Sequence, residues 1–278
     1  MINNNGHFNP ANVDVLSSNR AFLFGDAVFE TMKIVDGKIL FLEDHYFRLM
    51  ASMRIIRMEI PMHFTMEFFE SEILKTAEIN NFADSVRARI TVYRNSGGLY
   101  TPATNSISYL IEATAIENKL FQLSTHLYEV DLFKDYFIPK HLLSTLKTTN
   151  KLINIVGSVY AKENDLQNCL LLNDSKNVVE ALNGNLFMFL NGKLITPPLS
   201  EGCLNGIMRR QILKIAKKID TIEVLEAPIS PFDLQKADEL FITNSIVGIL
   251  RISKYRKKEY KQELSDILIK NLNLLIAI

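Results

Sequence analysis

The sequence predicts an α+β protein built as two mixed domains. Three observations carry that expectation. Near the start, residues 27–35 alternate apolar and polar in strand fashion and run into Asp36-Gly37, a hairpin signal. Two helix-period stretches follow, and from Ser85 the period returns to two. After the polar stretch Glu117-Asn118-Lys119, helices and short strands alternate in a different order. The length of 278 residues suits one large or two ordinary domains at roughly 100–200 residues each.

The elements follow in order. Ala27 to Val35 reads as a strand, Asp36-Gly37 as a type I′ turn, and Lys38 to Leu42 as its return. Glu43-Asp44 begin a helix with Leu49, Met53 and Ile56 on one side, and Thr65 can cap a second helix carrying Phe68, Phe69, Ile73, Leu74 and Ala77. Val86–Arg94 and Ser106–Ala113 read as strands flanking an irregular segment from Asn95 to Pro102. In the second half a helix is expected from Asn150 to Glu163. Strands are expected at 169–172, 186–189, 193–195, 222–225 and 239–243. A helix starts near Gly206 and runs to Ile219, and Gln262 to Leu275 forms the last one. The expected division is 1–116 for a small N-terminal domain, 117–124 for a linker and 125–278 for a larger C-terminal domain.

Composition narrows the function classes. Lys+Arg (31) equal Asp+Glu (31), so the chain has no polybasic character for coating nucleic acid. Hydrophobic residues make up 47%, enough for a packed core. Cys169 and Cys203 have no partners at metal-ligand spacing and form no disulfide framework. The start of the chain lacks a signal-peptide pattern, and no apolar run nears the ~20 residues that span a bilayer. A soluble cytoplasmic protein, with no nucleic-acid or membrane partner and no metal, is expected.

Candidate chemistry is spread along the chain. Lys147 precedes an apolar helical stretch. A lysine desolvated there is a nucleophile toward carbonyls, whereas a solvated one only decorates a helix entrance. Gly206-Ile207-Met208 opens a helix after a Pro/Gly-rich loop, which suits an anion or is an ordinary helix start, and Arg209-Arg210 in that turn are poor dipole partners. Thr243-Asn244 closes an apolar strand and offers further donors. Glu180 lies in the apolar run Val178–Leu182 and needs a cationic partner or donors. Arg48 is helix decoration unless an anion faces it, and His45 reads as a surface histidine. Arg87 and Arg89 share one strand face, while Arg94, an odd five residues beyond Arg89, points the other way in a regular strand.

Taken in order, these pieces resemble the class IV aminotransferases, the fold type IV enzymes that use pyridoxal 5′-phosphate. The resemblance rests on Phe24-Gly25-Asp26-Ala27-Val28-Phe29-Glu30-Thr31, His45-Tyr46-Phe47-Arg48-Leu49, Leu146-Lys147 and Val179-Glu180 with Asn185-Leu186-Phe187. It continues through Thr196-Pro197-Pro198, Asn205-Gly206-Ile207-Met208-Arg209 and Glu239 to Asn244. It implies the two-domain fold of that group, a small N-terminal and a larger C-terminal domain. Lys147 would be the Schiff-base lysine and Glu180 the partner of the pyridine nitrogen. Arg48, Gly206, Ile207, Met208, Thr243 and Asn244 would hold the phosphate. Phe29, Arg89 and Arg94 would line the substrate pocket, with Thr31 assisting proton delivery.

Within the family two activities are implied. The first is amino transfer between an amino acid, branched-chain-like or another small one, and a 2-oxo acid. The second is aminodeoxychorismate lyase activity, releasing pyruvate and 4-aminobenzoate. Glu30-Thr31-Met32-Lys33 stands where branched-chain enzymes resemble one another in Glu-Gly-x-Arg, and Leu152 where they carry tyrosine. Arg89 to Gly98 looks like the lyases, but Leu99-Tyr100 follows the glycines in place of their arginine. The resemblance also implies a homodimer.

Overall fold

The computed structural model describes residues 1–10, 17–82, 84–124 and 126–277. By contacts the chain forms two compact units. The first comprises Met1–Lys119 together with Lys147–Asn150, and the second comprises Leu120–Leu146 and Lys151–Ile278. The sequence expectation gave Lys147 to the second domain, whereas its contacts lie with the first.

The first unit contains β1 (Ile2–Asn4), β2 (His7–Asn9), α1 (Arg20–Phe24), β3 (Ala27–Val35) and β4 (Lys38–Ile39). It continues with α2 (Leu42–Ile55), α3 (Met66–Ile79), β5 (Ser85–Arg94) and β6 (Ile107–Ala115). Its sheet has the order β2-β1-β6-β5-β3-β4. The two-residue turn after β3 adopts the positive φ that a type I′ turn demands, 48° at Asp36 and 75° at Gly37. β4 stops earlier than the sequence suggested because Phe41, at φ 57°, turns the chain directly into α2. Thr65 caps α3 as expected, accepting from the Phe68 amide at 3.3 Å.

Strict alternation along β5 divides the sheet into two faces. Val86, Ala88, Ile90 and Val92 are buried among Leu49, Met53, Phe69 and Ile73 of the two helices. Arg87, Arg89, Thr91 and Tyr93 take the opposite face. β3 follows the same phase, with Val28, Glu30, Met32 and Ile34 inward and Phe29 and Thr31 outward. Glu30 is therefore a charged residue in an apolar row.

The second unit contains β7 (Glu129–Ile138), α4 (Leu152–Glu163), β8 (Asn168–Asn173), β9 (Val178–Ala181), β10 (Gly184–Leu190) and β11 (Lys193–Thr196). After α5 (Ile207–Ala216) come β12 (Glu223–Glu226), the short α6 (Pro231–Leu234), β13 (Glu239–Asn244) and β14 (Gly248–Ile252). β15 (Lys254–Tyr255), β16 (Lys258–Glu259) and α7 (Glu263–Ile276) end it. The main path of its sheet runs β12-β11-β10-β9-β8-β7-β15-β16, and β10 also pairs β13, which pairs β14. The sequence reading missed β7, β9, β14 and the two-residue β15 and β16, as it did β1 and β2 in the first unit. β7 carries a register shift between Phe133 and Ile138 that breaks its alternation, and β9 is buried at all four residues, so neither shows period two. α5 and α7 lie close to their expected bounds.

Candidate active site

In the first unit, residues 147–149 run antiparallel beside β3. The Phe29 amide donates to the Lys147 carbonyl at 2.8 Å, and the Thr149 amide donates to the Ala27 carbonyl at 3.1 Å. The Thr149 hydroxyl and the Asn150 side-chain amide both donate to the Gly25 carbonyl, at 3.1 and 3.0 Å. These bonds fix the Lys147 backbone, and its Nζ lies 4.6 Å from the Phe29 ring centroid. The Arg89 guanidinium carbon approaches the same ring at 4.1 Å, so two cations share one aromatic partner. Thr31 pairs directly across from Arg89. Phe29, Thr31, Arg89 and Lys147 thus gather on the outward side of β3 and β5. Burial lowers the Arg89 pKa, although a guanidinium stays charged in a protein.

On the inward side, Glu30 meets His45 and Arg48 of α2. The Arg48 Nε and Nη2 donate to Oε1 and Oε2 at 2.7 and 2.5 Å, and His45 Nδ1 lies 2.7 Å from Oε2. Burial alone would raise the Glu30 pKa, but the Arg48 charge and the His45 contact pull it down to about 2. An ionised carboxylate only accepts, so His45 Nδ1–H is the donor. Burial lowers the His45 pKa, opposed by Glu30 and assisted by the charges of Arg48 and Lys147. The ring is fully buried and its Nε2 has no hydrogen-bond partner among the described residues. His45 is therefore not a surface histidine. The signal for it was available: Glu30 sits in the apolar phase of β3, and His45 and Arg48 lie at i, i+3 on one helix face.

Arg94 departs from its expected role at a substrate. It is 6% exposed, and its Nε donates to Asp26 at 2.9 Å. Its other nitrogens donate to the Arg57 and Ile56 carbonyls and to Asn105. Asp26 also receives Arg20 Nε at 2.9 Å. With its donors engaged inside the unit, Arg94 ties β5 to the end of α2, and of the two arginines expected at the substrate only Arg89 lies on the open face.

In the second unit, strand pairing lines up Glu180, Asn185 and Thr243. Asn185 lies opposite Glu180 on β9 and opposite Thr243 on β13, so the three side chains stand in a row across β9, β10 and β13. Glu180, 8% exposed, accepts from the Leu204 amide at 2.9 Å. Asn185 donates to the Leu204 carbonyl at 2.8 Å. The Thr243 hydroxyl is buried without a partner among the described residues.

Beside this row α5 begins. Gly206, its N-cap residue, makes no side-chain cap, and the first turn holds no acidic residue. A Cβ at Gly206 would lie 1.9 Å from Asn185 Oδ1, so only glycine permits this approach. The amides of an uncapped first turn, Ile207 and Met208 among them, favour an anion. One expectation changes here. Asn244 has both ends of its side chain occupied, donating to the Asn183 carbonyl and accepting from the Ile246 and Val247 amides, so it builds the β13–β14 turn. Arg209 is 2% exposed and donates to the Pro197 carbonyl at 2.8 Å and to Glu226 at 2.6 Å, which turns it away from any anion at the helix start.

These residues fit a phosphorylated pyridine. The orphaned Thr243 hydroxyl and the uncapped helix start supply donors for an anion, and Glu180 in the same row supplies an acceptor for a protonated ring nitrogen. Among the described residues, no group of three or more His, Cys, Asp or Glu is arranged to hold a metal ion. None of the described helices is long and apolar enough to cross a membrane.

The chain is similar to known proteins. A protein of Methanocaldococcus jannaschii provisionally named a branched-chain-amino-acid aminotransferase is 31% identical over 233 residues, covering 83% of this chain and 78% of its own. An aminodeoxychorismate lyase of Vibrio harveyi is 24% identical over 251 residues, covering 87% and 88%. The crystal structure of a Thermoproteus uzoniensis branched-chain aminotransferase with norvaline shares the fold. It superposes at a TM-score of 0.86 with 22% identity, over 97% of this chain and 92% of that one. The family model for amino-transferase class IV matches residues 27–255, and the chain belongs to the class IV aminotransferase family.

Proposed function

We propose that this protein is a pyridoxal-phosphate-dependent aminotransferase that moves an amino group between an amino acid and a 2-oxo acid. The observation that carries the reading is the Glu180–Asn185–Thr243 row beside the uncapped start of α5, a donor and acceptor set suited to this cofactor. When bound, pyridoxal phosphate supplies an electron sink for negative charge at the substrate Cα. Lys147 would supply the amine for the cofactor aldehyde, and its Nζ would hold the proton that moves at the substrate Cα. Glu180 would accept from the ring nitrogen and favour its protonated form. The amides of Ile207 and Met208 and the Thr243 hydroxyl would hold the phosphate, whereas Arg48, expected there from the sequence, is paired with Glu30 inside the first unit. Arg89, Phe29 and Thr31 receive the substrate, with the guanidinium toward its carboxylate. The chain works as a soluble, cytoplasmic homodimer.

The relatives named both ways leave a second reading, an aminodeoxychorismate lyase. The Thr31–Arg89 pair favours it, since a hydroxyl beside a carboxylate-binding arginine suits proton delivery to a departing enol. A screen of D- and L-amino donors separates the two. A transaminase changes the absorbance of its cofactor with an amino donor alone and regains the original spectrum with a 2-oxo acid. The lyase releases pyruvate from aminodeoxychorismate with no acceptor added. If neither response occurs with any donor, both readings fail.

A further inference from the structure

We propose that the second unit carries an accessory site for a small organic acid with one carboxylate and an apolar body. A cleft of about 470 Å³ opens among β7, the β8–β9 turn, α6 and the β15–β16 turn. That is within the range of cavities that hold small ligands, roughly 300–1,000 Å³. None of its lining residues belongs to the Glu180–Thr243 row.

The cleft combines an apolar floor with a cationic rim. Leu132, Leu172 and Tyr255 form the floor, each 5% exposed or less. The register shift in β7 brings a fourth apolar side chain to it. Phe137 is an odd five residues from Leu132, so in a regular strand it would face away, but the irregularity between Phe133 and Ile138 returns it to the same cleft. Lys134, Lys176 and Arg256 stand around this floor. Lys176 Nζ is held 3.4 Å from the Phe137 ring centroid, which keeps the ammonium over the cleft. Arg256 is paired with Asp131, Nε to Oδ1 at 3.1 Å. Lys134 and Lys176 have no acidic partner among the described residues. Two uncompensated ammonium groups over an apolar floor suit one carboxylate on an aromatic or branched aliphatic body, and they oppose an amine of the same shape.

The turn at Lys176 provides a clean variant. Lys176 has φ 64°, a left-handed conformation that glycine adopts without strain, so Lys176→Gly removes the cation and leaves the turn intact. The inference stands whether or not the chain is a transaminase. Its test is calorimetric titration of the protein, saturated with pyridoxal phosphate, with three ligands of similar shape: 4-phenylbutyrate, 4-phenylbutan-1-ol and the tertiary amine N,N-dimethyl-4-phenylbutan-1-amine, which cannot condense with an aldehyde. The acid is expected to bind at least ~10-fold more tightly than the other two, a difference of about 1.4 kcal/mol. Lys176→Gly should weaken the acid by ~5-fold or more, leave the alcohol within ~2-fold and keep the wild-type melting temperature. Lys134→Gln gives the same reading without touching a turn. Equal binding of acid and amine, wild-type affinity in both variants, or no acid binding by ~10 mM would each overturn the proposal.

Discussion

Glu30 and Arg48 form a two-point ion pair inside the first unit, between a strand residue 1% exposed and a helix residue 8% exposed. The pair joins β3 to α2 directly behind the strand that carries Phe29 and Thr31. A charge of either sign left alone there would be costly, because the interior solvates it poorly.

Glu30→Gln therefore removes the buried carboxylate that Arg48 faces. The expected loss of stability is about 3–5 kcal/mol, read as a lower midpoint in chemical unfolding. A loss below about 1 kcal/mol would show that the pair does not hold β3 and α2 together.

The same cluster sets a pH dependence with two steps. Glu30 titrates near 2 in the fold against 4.5 ordinarily, so its contribution, roughly 3 kcal/mol, is complete above pH 4.5 and is lost as pH falls toward 2. His45 is also depressed, from 6.5, so the unfolded chain takes up its proton first and stability begins to fall as pH drops below 6.5. Unfolding free energies measured between pH 7.5 and 3 should show both declines, and His45→Gln should lose only the upper one. An upper step that persists in His45→Gln assigns it to another group.

Arg89 and Arg94 should respond in opposite ways. Arg94→Ala leaves the buried end of Asp26 short of a partner and should cost several kcal/mol of stability, of order 3. Arg89→Ala should keep the fold and raise KM for the amino donor by ~10-fold or more, with a smaller change in kcat. Melting curves beside steady-state kinetics distinguish them, and a stable, inactive Arg94→Ala would reverse the assignment.

At Gly206 a methyl group would collide with Asn185 and displace the start of α5. Gly206→Ala should fold normally yet bind pyridoxal phosphate ~10-fold more weakly in a fluorescence titration. Unchanged affinity would remove the helix start from the phosphate site.

Cys169 and Cys203 are 0% and 1% exposed, and burial raises their pKa to about 11 and about 12. Neither should react with an aromatic disulfide reagent at pH 8 in the folded protein, and both should react on denaturation. A fast-reacting thiol in the native state contradicts the burial.

What was legible in the sequence is what depends on local period or local caps. The β3 and β5 alternation, the Asp36-Gly37 turn, the Thr65 cap and the helices α5 and α7 are all of that kind. The opposite phases of Arg89 and Arg94 could also be counted along one strand, and β5 keeps them. β7 could not be read, because its irregularity erases the alternation and its mix of Asp131, Lys134 and Asp135 hides the apolar phase. Nor could the Glu180–Asn185–Thr243 row, since those residues become neighbours only once β10 lies between β9 and β13. Family order suggested that Glu180 and Thr243 matter. Pairing register alone explains why Asn185 stands between them.

The return of residues 147–150 to the first unit has a consequence for the growing chain. The Lys147 carbonyl accepts from the Phe29 amide and the Thr149 amide donates to the Ala27 carbonyl, more than a hundred residues upstream, while Leu120–Leu146 builds the other unit. A fragment ending at Lys119 contains β3, Phe29 and Arg89 but lacks the amine itself. During synthesis the first sheet is therefore complete in sequence well before Lys147 is made. Lys147 gains its fixed backbone only when a late segment docks on an early one, a long-range closure that is slow relative to local folding. Until then Lys147 lacks the backbone bond that β3 gives it, so residues 147–150 complete the first unit only after the whole segment Leu120–Leu146 has been made.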